Sequence, residues 1–204
     1  MANIKKCFYD VISYLNQNDE LQDNHSHYLR RFFGSANENW LRTEICAILN
    51  FDTHGGIPNK EKEYAYDEDE KRDISIYSIK RDENDEYVKD ELQHHIELKC
   101  FSSGLPGEAS IRKTLEDLKR QLSTDSYPSS KKHGWMFFTK SNYHNIELKL
   151  YFERAKKLIQ EVFPKDSYTT LHNYTLEHVI SGKFDWCGEE AELNIKALYV
   201  TRRL

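Results

Sequence analysis

Two hydrophobic rhythms divide this chain, one helical and one alternating. From Lys5 to Leu15, Cys7, Phe8, Val11, Ile12, Tyr14 and Leu15 recur at helical spacing and predict an amphipathic helix. A short helix is expected from His27 to Phe33, stopped by Gly34. Glu38 to Leu49 carries Trp40, Leu41, Ile45, Ile48 and Leu49 as one stripe, with Ser35 or Asn37 available as the cap. Gly55, Gly56 and Pro58 then mark a loop.

The rhythm changes to alternation, weakly over Lys62 to Tyr66 and clearly over Asp73 to Ile79. Arg81 to Glu86 reads as a solvated hairpin connection. In Leu92 to Phe101, Ile96, Leu98 and Cys100 fall on one strand face and Glu97 and Lys99 on the other. After the Gly/Pro loop at Ser102 to Gly107, Ile111, Leu115, Leu118 and Leu122 give a helix over Glu108 to Leu122. Gly134 to Thr139 is an unbroken apolar run, the pattern of a strand buried on both faces. Asn145 to Phe163 predicts a long helix ending before Pro164, Leu171 to Ile180 reads as helical, and Ile195 to Thr201 as a closing strand. The order helix, strand, strand, strand, helix, strand predicts an α/β fold. A mixed β-sheet flanked by helices is expected, with extra helices at the two ends. All 204 residues are read as one domain: a core near 38–140, a helical N-terminal part over 1–36, and a C-terminal part, 141–204, of helix plus one strand.

Composition narrows the classes. Hydrophobic content of 38% is low and charged content of 31% high, yet thirteen tyrosines and ten phenylalanines argue against disorder. No apolar run approaches the roughly 20 residues of a membrane span, and Met1 to Lys6 offers no signal-peptide core. A cytoplasmic location is expected. The four cysteines lie singly, so neither a zinc knuckle nor a disulfide framework is indicated. The net charge of −5 gives no global pull toward nucleic acid, although one cleft can still be locally basic.

Chemistry enters with Glu44, Asp73 and the tripeptide Glu97-Leu98-Lys99. Similar tripeptides occur at Glu147, Asp117 and Asp69, but the first two lie in helical patterns and the third in a polar turn. Only Glu97 and Lys99 lie on an alternating strand, where a period of two sets them on one face about 7 Å apart. Asp73 opens the preceding strand and can come beside Glu97, while Glu44 lies on a helix able to pack nearby. Three close carboxylates repel unless a cation intervenes. Oxygen ligands suit Mg²⁺, and a lysine can hold or deprotonate an attacking water. The set therefore points to a Mg²⁺-dependent phosphodiester hydrolase, with Glu44, Asp73, Glu97 and Lys99 as catalytic residues.

These residues and this element order resemble the PD-(D/E)xK nuclease superfamily, the restriction-endonuclease-like fold, over roughly Glu38 to Thr139. The resemblance implies that Asp73 and Glu97 bind metal, with the Leu98 carbonyl as an additional ligand. It gives Lys99 the task of positioning or activating water and Glu44 that of a further metal ligand. Arg72 stands where the family pattern has proline. Mg²⁺ is the implied cofactor, with Mn²⁺ as substitute. The expected activity is endonucleolytic, on DNA foremost, in restriction or anti-phage defence. Cutting two strands calls for a homodimer or a partner protein.

The helix after the motif carries Arg112, Lys113, Lys119 and Arg120, and Lys131 and Lys132 follow in a loop. All six are candidate nucleic-acid contacts, although a solvated face explains them equally. Of the nine histidines, His94 and His95 straddle the motif strand, so one of them can approach the site. Two other classes remain: a catalytically silent nucleic-acid-binding or assembly subunit of the same fold, and a small acidic inhibitor or immunity partner. Loss of metal-dependent cleavage in a Lys99→Ala variant separates the first from the nuclease.

Overall fold

Strand β3 (Tyr87–Ser102) is the axis about which the chain is arranged. The computed structural model describes residues 3–17, 37–51, 57, 62–67, 73–102, 107–123, 131–142, 147–170 and 177–202. Strands β1 (Glu63–Asp67) and β2 (Ile74–Arg81) precede β3 and join it by antiparallel pairing. At the β2–β3 hairpin, Asp82 Oδ1 accepts the N–H groups of Asn84 and Glu86 at 2.9 Å each. Asp85 turns the chain there at φ 64°, a left-handed conformation that aspartate tolerates.

Helix α3 (Gly107–Ser123) carries the chain back, so that β4 (Lys132–Ser141) pairs with β3 in parallel. Every position of β4 is buried, as its unbroken apolar run predicts for a central strand. Gly134 is needed for this closeness: a Cβ there would lie 2.7 Å from Val200 Cγ1 and 3.2 Å from Leu118 Cδ2. Helix α4 (Leu148–Val162) follows and ends where Phe163 N–H bonds Ile159 O, just before Pro164.

Three strands complete the sheet: β5 (Tyr168–Thr170), β6 (Glu177–Trp186) and β7 (Glu189–Arg202). Strand β7 pairs with β4 along one edge and with β6 and then β5 along the other. The result is one seven-stranded mixed sheet in the order β1-β2-β3-β4-β7-β5, with β6 on β7. The helical reading of Leu171 to Ile180 is overturned where it can be checked, since 177–180 belong to β6. The C-terminal part thus adds three strands, not one. The hairpin turn is Cys187-Gly188, at φ 56° and 86°, which twists with the strands but lacks the Asn-Gly signature that sequence reading seeks. The helix expected at His27 to Phe33 lies outside the described residues.

Apolar stripes bind the helices to the two faces. Helices α1 (Ile4–Gln17) and α2 (Asn37–Phe51) supply Phe8, Val11, Leu15, Leu41, Ile45 and Leu49 to one core against Ile96, Leu98, Trp135 and Phe137. Helices α3 and α4 supply Leu115, Leu118, Phe152 and Ile159 to the other, against Phe101, Met136 and Phe138. The Asn50 amide bonds both the C=O and the N–H of Ala65, at 2.9 and 2.8 Å. It seals the outer edge of β1, where unpaired backbone would otherwise invite another strand. Among the described residues no helix is long and apolar enough to cross a membrane.

Candidate active site

Where β2 ends, the sheet forks. The β2–β3 ladder begins at Ile74↔Ile96, whereas β3 and β4 stay paired through Ser102↔Thr139. Beyond Ile96, therefore, one edge of β3 faces the residue that precedes β2, which is Asp73. The Leu98 N–H donates to Asp73 Oδ2 at 2.7 Å, so the carboxylate replaces the next strand partner. On the same strand Lys99 Nζ lies 3.5 Å from Asp73 Oδ2 and 4.0 Å from Glu97 Oε2.

Helix α2 closes the fork from its N-terminal turn. Glu38 accepts from Lys99 Nζ at 3.2 Å through Oε1 and from the Cys100 N–H at 3.4 Å through Oε2. Four residues later on that helix, Arg42 pairs with Asp67 of β1, and its Nη1 stands 3.7 Å from Asp73 Oδ1. Thr43 Oγ1 donates to the other Asp67 oxygen at 2.7 Å. Glu97 is held from its own strand face, with Oε1 hydrogen-bonded to His95 Nε2 at 2.5 Å. Glu97 and His95 are both buried.

Electrostatics follow from this crowding. Burial alone would push the Lys99 amine down. Asp73, Glu38 and Glu97 more than offset it and hold the amine above its ordinary value, so Lys99 stays protonated. The neighbouring Cys100 thiol is driven far up, by burial first and by Glu38 next, and it remains a thiol.

Of the four residues singled out from sequence, the fold brings Asp73, Glu97 and Lys99 together. Glu44 is not among the carboxylates acting on Lys99; the helix glutamate that does so is Glu38. Six residues separate the two, about 240° around the helix, so they lie on different faces. Glu38 and Arg42 share a face, being four apart. His95 was legible in principle. The same period of two that links Glu97 to Lys99 also extends back to residue 95.

The six candidate phosphate contacts fare unequally. Arg112 bonds Glu161 of α4 at 2.5 Å and Arg120 bonds Asp117 at 2.9 Å, so two of the four helix cations serve ion pairs. Lys113 is exposed and Lys119 half-buried on the same helix. Lys131 donates to Glu91 and to the Leu92 carbonyl at 2.9 Å each. Lys132 is no surface loop residue: it is only 2% exposed, as the first residue of β4, because the strand begins earlier than its apolar run. His133 is buried beside it and bonds His94 and Tyr199.

Among the described residues no three His, Cys, Asp or Glu side chains are placed to hold a metal ion by themselves. Mg²⁺ asks for less, since it commonly takes one or two carboxylates and completes its shell with water and substrate phosphate. Asp73 and Glu97 provide that pair. The Leu98 carbonyl leaves β3 on the same edge as the Leu98 N–H that meets Asp73. At the fork the carboxylates of Glu38, Asp67, Asp73 and Glu97 outnumber the permanent cations Arg42 and Lys99, leaving negative charge that a divalent ion would balance. The donors present fit a hard divalent cation.

No family model, no curated protein and no solved structure matches this chain.

Proposed function

We propose that this chain is a metal-dependent phosphodiester hydrolase of the PD-(D/E)xK kind, with nucleic acid as its substrate. One observation carries the reading: Asp73, Glu97 and Lys99 converge at the fork where β2 leaves β3. The sequence of elements α2-β1-β2-β3-α3-β4 follows the helix, strand, strand, strand, helix, strand order on which the resemblance rests, and supports the reading. Asp73 and Glu97, with the Leu98 carbonyl, would hold Mg²⁺ or Mn²⁺. A bound ion there supplies charge to polarise a phosphate and to acidify a water.

The chain's own groups do the rest. The Leu98 N–H fixes Asp73, and His95 fixes Glu97, so neither carboxylate must reorganise when charge develops. Lys99, kept protonated, offers an ammonium that can orient water or neutralise a phosphate oxygen. Glu38 and Asp73 fix where that ammonium points.

One observation favours the silent alternative, a nucleic-acid-binding or assembly subunit of the same fold. Each fork carboxylate is already engaged by a protein donor, and no three of them form a ready metal cage. Incubation with supercoiled plasmid and with single-stranded circular DNA, in Mg²⁺ and in EDTA, decides between them. The hydrolase reading expects cleavage in Mg²⁺, none in EDTA, and none from Asp73→Ala or Lys99→Ala. A folded wild type that leaves DNA and RNA intact in Mg²⁺ and in Mn²⁺ supports the silent subunit.

A further inference from the structure

On the sheet face that carries Glu97 and Lys99, the outer strands present a run of aromatic rings. Registers fix this. Tyr66 lies opposite Ser75, and Ser75 opposite His95, whose side of β3 is also that of Glu97 and Lys99. Tyr64 lies opposite Tyr77 on that same face.

The rings follow one another as Phe51, Tyr64, Tyr66 and Tyr77, with centroids 6.2, 5.2 and 5.8 Å apart. A cation lies on them: Lys89 Nζ stands 4.2 Å from the Tyr66 ring centre and 5.1 Å from that of Tyr77. Farther along β2, Arg81 pairs with Asp85 at 2.7 Å and stands 4.5 Å from the Tyr87 ring centre. Tyr64 and Tyr66 are half-buried, Phe51 is exposed and Tyr77 is buried. The run starts from an exposed ring, Phe51 at 69%. Between Tyr66 and His95 the Ser75 hydroxyl is fully buried and has no hydrogen-bond partner among the described residues.

We infer that this face is a stacking platform for single-stranded nucleic acid, leading into the fork; as a substrate path, it rests on the hydrolase reading. Rings with interleaved cations are what unpaired bases and their phosphates require, because every base has a π-face and every linkage a charge. A duplex hides those faces. From Tyr66 to Glu97 is two strand spacings across and two residues along, about 12 Å. That is three to four nucleotides of a stacked strand. A base on Tyr66 therefore sets a linkage a few nucleotides away beside Lys99. A single strand also needs only one site, without a second subunit.

The test uses full-length Asp73→Ala protein in EDTA, so that no cleavage intervenes, and a fluorescein-labelled 20-nucleotide oligothymidylate against a duplex of the same length. Fluorescence anisotropy is expected to show tighter binding of the single strand. Tyr66→Ala in that background should weaken it about 5- to 150-fold, the range for loss of one stacked base, while Tyr66→Phe keeps it. Circular dichroism melts confirm folding, and Tyr64→Ala repeats the measurement if Tyr66→Ala unfolds. Equal affinity for duplex and single strand, absence of binding, or a Tyr66→Ala protein that loses thermal stability but not affinity overturns the platform. Ring-dependent binding by a wild type that cuts nothing in Mg²⁺ upholds the platform and removes the hydrolase. Cleavage indifferent to Tyr66 does the reverse.

Discussion

Two buried polar clusters grow from consecutive residues of β3 and solve the cost of burial in opposite ways. His95 faces the fork, where Lys99 keeps its charge because Asp73, Glu38 and Glu97 stand within about 4 Å of the amine. His94 faces the other side and bonds His133 at 3.1 Å, and His133 bonds the Tyr199 hydroxyl at 2.8 Å. Among the described residues no carboxylate acts on His133. Burial, then His94 and His95, pushes His133 down to about 3, and the same burial pushes Tyr199 up to about 12. His133 is buried by giving up charge. The fork gathers acidic groups and a charged amine, and it is from this cluster that the proposed metal site is drawn.

If that contrast is right, Asp73→Ala has the largest consequence. It removes the acceptor shared by Leu98 N–H and Lys99 and one of the two carboxylates proposed to hold the metal. Cleavage in Mg²⁺ should fall by at least about 100-fold. Retained activity would reduce the fork to a structural ion-pair network.

Acid should act on the other cluster. Above the ordinary histidine value of 6.5, His133 is neutral whether the chain is folded or not, and its burial carries no pH-dependent penalty. As pH falls, the unfolded ring takes a proton that the folded ring refuses until about 3. Stability from this residue therefore drops on acidification, by about 2 kcal/mol at pH 5. Urea titrations at pH 8 and pH 5 measure it. A His133→Phe variant should lose that part of the pH dependence, and an unchanged slope in that variant would contradict the assignment.

The contrast was only half legible in sequence. Alternation through Ile96, Leu98 and Cys100 set the phase of β3, so the pairing of Glu97 with Lys99 could be read from spacing alone. Asp73 followed because the hairpin is local. The helix partner did not follow, since several turns of α2 were available and nothing local selects Glu38 and Arg42 over Glu44. Lys132 and His133 looked like loop residues because polar side chains open β4, and nothing local reveals that Thr201 Oγ1 and Tyr199 wait across the sheet. Strands β6 and β7 were half missed for a related reason. Their hairpin turns on Cys187-Gly188, and charged residues at its tip obscure the alternation.

A smaller effect probes the neutral cluster by subtraction. Tyr199→Phe keeps the ring, which stands 5.9 Å from that of Phe8, but removes the hydroxyl from His133 Nδ1. A buried ring nitrogen left without its partner should lower stability by about 1–2 kcal/mol in chemical denaturation at pH 8. Loss of under about 0.3 kcal/mol would mean that the hydroxyl contributes nothing to the array, within the scatter expected of unrelated substitutions.

The smallest effect bears on which helix residue belongs to the fork. Glu38 is partly solvated, so its pairing with Lys99 is worth little in stability, about 0.5–1 kcal/mol on replacement by Ala. Its larger role is steric and electrostatic. Without Glu38, one of the three carboxylates that raise the Lys99 amine is gone, and the side chain loses the contact that aims it. Glu38→Ala should therefore slow Mg²⁺-dependent cleavage by about tenfold, a misplacement penalty rather than loss of a ligand. Glu44→Ala, six residues on and about 240° around the helix, should leave the rate unchanged. The opposite ranking in paired cleavage and denaturation assays would return Glu44 to the site and show that α2 rotates when the fork is loaded.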